Sequence, residues 1–568
     1  MKISREMMYL VWGVALVSLL SGCGGGGGGG DASPPPGGGS SPPPPPPSGG
    51  GGGGSAASTY LFYSGSLSAV DPAAPAAPIT VEAGSDIVTG AFGVSKAIKA
   101  FQSGSYNSAT KTVTGLHTHA VIYAKTDGKL YRVSGLKSGS LTPVQLSSEN
   151  GADQLCVGAT HGADTFTDFA SPDNSQYLYA LPGSDDTCET GDDIWKMVRL
   201  GMSASDAPVV AKRPVSVQGD FNTGAIAGWL VHDAGALKKC DANFAACGAP
   251  LKLVANRVNV MLGLGLNRHL LNIDDQLFVY DGVANTLSAS IFTIPPKTSL
   301  SASAADNTHL YFAHEKTLYK APVDGSTVAV VLAVEADNIS FQMGVTTNKV
   351  VYTTHAQLSA GVLVTAAQLK VADKISGATT PLATAGNADI ASFFVNGNNI
   401  YYSLTDLTLA AGVLTTAPIV AGVIDEAGGG KSETTNATWH GGAIYSTSID
   451  MSKSGSLAYP PEKIVRIEGY DTLGSGKGFA GGTLKAFDAA TGAEGVTLGT
   501  LPSGDTLTSI TCFGEGHNVL CQAMVTITPA PVLPALPFQA DLFFINAATA
   551  GSLTRVTNTL DKNEMPVY

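Results

Sequence analysis

Apolar and polar residues alternate in short runs along most of this chain. From Tyr60 onward one unit recurs: a run rich in Val, Leu, Ile, Tyr and Phe, a polar turn, and a second such run. The clearest copies are "AVIYAKTDGKLYRV" (120–133), "QYLYALPG…DDIWKMVRL" (176–200), "HLLNIDDQLFVYDG" (269–282), "THLYFAHEKTLYKAPVDG" (308–325), "NKVVYTTH…AAQLKVADKISG" (348–377) and "GAIYSTSID…GGTLKAFDAATG" (442–492). Weaker copies begin near Tyr60, Gly228, Asn399 and Asn518. A period of two, bounded by tight-turn residues, predicts antiparallel hairpins. No apolar pattern with the helical period of about 3.6 persists, which excludes a helical body.

A third apolar segment follows most hairpins, often led by proline or a small residue: "TPVQL" (142–146), "APVVA" (207–211), "APLKLV" (249–254) and "TPLAT" (380–384). Proline at the first position of a strand removes no ladder bond, so these segments read as outer strands. A hairpin plus an outer strand, recurring at intervals of roughly 40–60 residues, is the signature of a β-propeller blade. The expected fold is all-β, a single propeller of seven or eight blades. About ten hairpin starts are counted, so some are expected to be insertions, as in the long gap between Tyr445 and Leu484; a larger ring or two packed propellers stay open. The terminal "EMPVY" (564–568) is placed to supply the strand that completes the first blade.

The N-terminus breaks this pattern. Lys2 and Arg5 precede the apolar run "MMYLVWGVALVSLL" (7–20). That run is shorter than the roughly 20 residues a membrane-spanning helix needs and suits the core of a secretory signal. It ends in Leu20-Ser21-Gly22-Cys23, which resembles the lipobox of bacterial lipoproteins. The resemblance implies cleavage before Cys23, a diacylglyceryl group on its sulfur and acylation of the new amino group. Several acyl chains hold stably where one holds only reversibly. Gly24 stands where aspartate would be the usual inner-membrane retention signal, so the family rule points to the outer membrane of a Gram-negative cell. Residues 24–58 are almost entirely Gly, Pro and Ser, including Pro34–Pro36 and Pro42–Pro47. Glycine runs are flexible and polyproline is stiff, so this tract reads as a tether, spanning about 115 Å when stretched. The expected organisation is 1–22 signal peptide, 23–58 lipidated cysteine and tether, 59–568 propeller.

Composition narrows the partners. The formal charge is −13 and no basic cluster is present, which argues against nucleic acid. Apart from Cys23 there are six cysteines, an even number in an exported chain. By proximity they pair as Cys156/Cys188, Cys240/Cys247 and Cys512/Cys521. A zinc site is disfavoured, because no C-x-x-C occurs.

Two weak metal candidates stand out. His117 and His119 are two apart and share a face if they lie on a strand. The acidic loop "GSDDTCETGDD" brings Asp185, Asp186, Glu189, Asp192 and Asp193 together around Cys188. Oxygen ligands of this kind can bind Ca²⁺, although the spacing fits no known loop pattern; solvated loop and ordinary strand histidines are the plainer readings. No other cofactor is expected. No G-x-S-x-G elbow is present, "GSGKG" (474–478) lacks the Ser/Thr of a phosphate loop, and "GLGLN" (263–267) is a lone G-x-G, read as an inner strand where backbones crowd.

Residues 59–568 are similar in a general way to TolB-like and quinoprotein-like propellers. The segment "AFDAATGAEGV" (486–496) carries the A-x-D-x-x-T-G part of a quinoprotein repeat, with Val496 in place of the closing tryptophan. With four tryptophans and no adjacent cysteine pair, the quinoprotein cofactor site cannot be carried over. The sequence thus leads to an outer-membrane lipoprotein presenting a propeller as a protein- or ligand-binding scaffold, membrane-attached through Cys23, with a protein or glycan partner. An envelope enzyme acting on polysaccharide or redox substrates in the propeller funnel is the first alternative. A structural adhesion protein is the second.

Overall fold

The computed structural model describes residues 59–567 except for several connecting segments, the longest being 89–97, 157–167, 171–175, 454–460, 473–478, 527–537 and 558–563. Residues 1–58, with the lipobox and tether, lie outside the described residues. Among the described residues the helical content is confined to 3-10 turns, Gly84–Asp86 and Ala152–Gln154. No helix there is long and apolar enough to cross a membrane.

Everything else is organised as ten antiparallel sheets of four or more strands, each a blade. Blade 5 shows the plan: Val258–Gly263 is innermost, Arg268–Ile273 second, Gln276–Asp281 third and Thr286–Leu287 outer. In blade 1 the second to outer strands are Leu61–Ser64, Leu67–Val70 and Ile79–Glu82. Its inner strand comes from the other end of the chain: Met565–Val567 pairs with it in the register Phe62↔Val567, Tyr63↔Pro566, Ser64↔Met565. The closure expected from "EMPVY" is therefore present.

The blade number corrects the expectation of seven or eight. All ten hairpin starts, weak ones included, mark separate blades: nine fall on second and third strands, and in blade 9 the first run, 442–445, is the end of the inner strand Ala437–Tyr445 while the second strand is Pro461–Glu468. The hydrophobic cores show that the ten form one closed ring. Each core lies between two neighbouring blades: Phe62, Val121 and Tyr123 join blades 1 and 2, Val215, Leu230, Leu271 and Tyr280 join 4 and 5, and Tyr401, Trp439 and Phe487 join 8 and 9. The series ends with Leu61, Tyr63 and Val70 of blade 1 packed against Leu520, Leu542 and Phe544 of blade 10. Alternate side chains of one strand enter different cores, Leu270 facing blade 6 and Leu271 facing blade 4. This is why the period of two is so clear in the second and third strands.

Turn chemistry repeats with the blades. In blades 5 and 7 to 10 the third strand ends in Asp or Asn, whose side chain accepts bonds from backbone N–H groups of the turn that follows. Asp281 does so for Val283 and Ala284, Asp373 for Ile375 and Ser376, and Asp488 for Thr491. The D-x-x-T-G of the quinoprotein-like segment is this turn, with Thr491 Oγ1 also donating to Asp488 and Gly492 at φ +71°. Opposite that aspartate stands a cation on the first residue of the second strand, as in Arg268–Asp281 and Lys349–Asp373 at 2.9 Å.

Candidate functional site

The ring has two faces. The inner-to-second and third-to-outer turns lie on one, called lower here; the second-to-third turns lie on the other, called upper. A ring of ten blades leaves a wide opening toward which unpaired inner-strand edges face, and exposed edges invite unwanted pairing. Blade 9 sends chain to other blades from both ends, and its upper extension covers one such edge. On the lower face, the residues following its inner strand Ala437–Tyr445 reach the long hairpin of blade 2, formed by Lys99–Asn107 and Thr112–Ala124. There Ile449 pairs with Val113 and Asp450 with Thr112, and Met451 N–H donates to Lys111 O at 2.9 Å. The same strap runs against blade 5: a Cβ on Gly265 would stand 3.4 and 3.5 Å from the carbonyl oxygens of Lys453 and Ser452. On the upper face, Asp471–Thr472 and Phe479–Ala480 of blade 9 add two short strands to the inner edge of blade 10.

Neighbouring blades are also clasped by buried ions. Glu149, beyond the outer strand of blade 2, is only 3% exposed at its side chain and accepts from Tyr179 Oη at 2.6 Å and Lys196 Nζ at 2.8 Å, both on blade 3. Glu335, beyond the outer strand of blade 6, accepts from Tyr352 and Lys370 of blade 7. Glu82 of blade 1 does the same with Tyr123 and Lys125 of blade 2. Burial first, then the adjoining carboxylate, pushes each of these tyrosine hydroxyls far up, so all are donors at any physiological pH. These buried charges are tied up between blades and serve the frame.

The accessible feature is on the outside of blades 6 and 7. The outer strand of blade 6, Val330–Val334, pairs with Thr317–Pro322, and the ladder slips by one residue at Leu332. The bulge breaks the in–out alternation. Val331 before it is exposed while Ala333 beyond it is buried, and Val330 and Val331, which pair with Lys320 and Tyr319, are exposed at 59% and 56%. Val328 at 64%, Val334 at 69% and Ile375 at 93% complete an aliphatic patch. Beside it runs a groove of about 310 Å³ between this strand and the third-to-outer turn of blade 7, lined by His309, Lys320, Pro322, Val331, Ile375 and Ser376 among others. The turn sits close: Gly377, at φ +72°, brings its Cα so near Leu332 O that a Cβ would meet it at 2.0 Å. Lys320 donates to Lys374 O at 2.8 Å and forms no ion pair among the described residues. Desolvation first, then Lys320, holds the His309 imidazole below its ordinary pKa, so the ring is neutral at pH 7.

No protein-family model matches the chain, and no curated protein does. Among solved structures it is similar to a eukaryotic initiation factor at 10% identity, covering 77% of this chain and 94% of that one with a TM-score of 0.39. It is also similar to a Synechocystis apocarotenoid oxygenase mutant (9%, 69% and 86%, TM-score 0.31). A third match is the computationally designed Ika8 protein (13%, 62% and 89%, TM-score 0.31). At these scores the likeness carries no argument, and the fold rests on the strand ladders themselves.

The residues singled out from the sequence are scattered. Cys156 and Cys188 are bonded, Cα atoms 5.2 Å apart, pinning the acidic loop of blade 3 to the link from blade 2. Cys240 and Cys247 are bonded across a turn of blade 4, Cα atoms 4.0 Å apart. Cys512 and Cys521 stand opposite each other in register on blade 10. In the acidic loop Asp192 accepts from Ser184 N and Oγ at 2.7 Å and Asp186 is exposed, while Asp185 and Glu189 lie outside the described residues. His117 and His119 lie on the strand Thr112–Ala124 as expected. His117 contacts Ser103 Oγ at 3.2 Å, and partial desolvation with His117 and Arg132 nearby lowers the pKa of His119. Among the described residues no group of three His, Cys, Asp or Glu side chains converges as a metal site. "GLGLN" begins at the last residue of the inner strand Val258–Gly263 and runs into the turn that follows: a Cβ on Gly263 would meet nothing, so the backbone is not crowded there, whereas Gly265 and Asn267 in the turn take φ +78° and +60°.

Sequence reasoning missed the blade 6 patch. A signal was present in "STVAVVLAV" (326–334), the most aliphatic of the outer segments, but it was not among those singled out.

Proposed function

We propose that the chain is an outer-membrane lipoprotein, anchored through Cys23 and the 24–58 tether, whose ring is a scaffold that binds another protein on the outside of blades 6 and 7. The observation that carries this is the clustering of five exposed aliphatic side chains around one groove. Other exposed aliphatics among the described residues, such as Val210 on blade 3 and Leu253 on blade 4, do not line this groove. A contiguous exposed apolar patch on a soluble domain marks an interaction surface. Residues that would otherwise suggest chemistry, the paired Lys, Tyr and Glu groups, are occupied in holding blades together. In cells, a photo-crosslinking residue at Ile375 is expected to give a discrete protein adduct, and one at Val210 none. Equal labelling at both sites would remove the patch as the partner site. Cys23→Ser is expected to leave the membrane fraction; retention there would end the lipoprotein reading.

A further inference from the structure

The ten outer strands differ in how their free edge is guarded. Those of blades 2 to 5 and 10 are two residues long: Val144–Gln145, Val209–Val210, Lys252–Leu253, Thr286–Leu287 and Thr554–Arg555. The longer ones carry a charge or a proline: Glu82 in blade 1, Pro381 in blade 7, Glu433 in blade 8 and Glu494 in blade 9. Short edges, edge charges and proline are the standard protections against strand addition. Val330–Val334 has none of these three: its five residues are Val-Val-Leu-Ala-Val, and among the described residues no strand pairs with its outer side. Its bulge at Leu332 does not set it apart, since the third-to-outer ladders of blades 1, 7 and 9 slip as well, and the blade 7 turn touches it at Leu332 O.

We infer that this edge receives an extended segment of a partner protein by strand addition, the partner placing apolar side chains on the valines and a carboxylate near Lys320. The inference rests on the scaffold reading and specifies its mode of contact. Three observations select this occupant over a second copy of the chain. The strand is short: five residues rise over about 17 Å, so one strand added at a spacing of about 5 Å covers a strip far smaller than the roughly 800 Å² per partner that a stable dimer covers. Strand addition works on so small a surface because main-chain hydrogen bonds supply affinity, with adjacent pockets reading alternate side chains. The formal charge of −13 makes two copies repel, whereas the groove itself offers Lys320 without an ion-pair partner. The groove of about 310 Å³, floored by Pro322 and walled by Ile375, has room for side chains leaving the added strand.

The test uses residues 59–568, the chain without its signal and tether, and a phage-displayed library of random twelve-residue peptides. Selected peptides are expected to alternate apolar residues, to carry an acidic residue, and to slow amide exchange at residues 330–334 at least tenfold. Val331→Pro, which removes an N–H and fixes φ, and Val334→Lys, which places a charge on the edge, should each weaken binding at least tenfold while leaving Tm within about 2 °C. Lys320→Gln should remove the acidic preference. Peptides that bind without slowing exchange at 330–334, equal enrichment on the two edge variants, no enrichment at all, or dimerisation of the ring through this edge would each overturn strand addition. An adduct at Ile375 in cells together with any of those outcomes would leave the scaffold standing and reject only the mode of contact.

Discussion

Blades 4 to 6 and blades 7 to 10 are built on the same four-strand ladder but differ where the second strand turns into the third. In blades 4 to 6 that turn is minimal: Ala234-Gly235, Asp274-Asp275 and Glu315-Lys316. Ala234, Asp274, Asp275 and Glu315 all take positive φ there, the geometry that matches strand twist in two-residue hairpins. In blades 7 to 10 the same connection is expanded. It carries the hairpin Gln357–Ser359/Val362–Thr365 in blade 7, an extension in which Val413–Thr416 pairs with the second strand of blade 8, the strands 471–472 and 479–480 in blade 9, and residues 527–537 in blade 10. The cores between blades continue through both halves without change of type. Ring stability and surface elaboration are therefore separable: the first resides in strands and clasps, the second in connections that add surface without altering the frame.

Ways to break that separation can be ranked by size. Deleting residues 564–568 removes the inner strand of blade 1 and its bond from Gln522 Nε2 to Glu564 O, opening the ring at its one non-sequential joint. Both halves should fail together, seen as loss of a single cooperative thermal transition. Next comes Glu335→Ala, at the junction of the plain and elaborated halves. Lys370 and Tyr352 would be left buried without their acceptor, at a cost of about 3–5 kcal/mol in denaturant unfolding.

In the plain half, His269 is buried, and desolvation holds it down at about 4. The unfolded chain takes up the proton near 6.5, so the folded state loses stability as pH falls from about 7 toward 4, by about 3 kcal/mol from this group. His269→Gln should flatten that part of the stability–pH curve. The smallest effect belongs to the elaborated half. Replacing 357–365 by a two-residue Asn-Gly turn should change stability by less than about 1 kcal/mol, because loop shortening costs little entropy and the core between blades 7 and 8, as far as it is described, includes none of these residues.

Much of this architecture was legible in the chain. The second and third strands face a core on both sides, so their Val, Tyr and Leu runs marked nine of the blades, including the weak copies at Gly228 and Asn518; in blade 9 the end of the inner strand and the third strand were read instead. The ring size was misjudged because some of the ten hairpins were expected to be insertions within a blade, whereas each marks a blade of its own; the long gap between Tyr445 and Leu484 holds the strap, the second strand and the added strands of blade 9. The inner strands were not readable. "ASAA" (302–305) has only small side chains, although Ala304 and Ala305 each pack into a core between blades. The clasps were equally hidden, for Glu149, Tyr179 and Lys196 meet only through the pairing of blades. The groove on blade 6 combines residues from two blades and a bulge at Leu332, which no local pattern announces.

Closure of the ring by the C-terminal strand is the claim on which the rest depends. Ser64 and Met565 stand opposite each other in that ladder. A Ser64→Cys, Met565→Cys double variant, oxidised and mapped by mass spectrometry, should yield a crosslinked peptide joining residues 64 and 565, with a raised Tm that falls back on reduction. Recovery of both cysteines as free thiols in the folded protein would contradict a closed ring of ten blades.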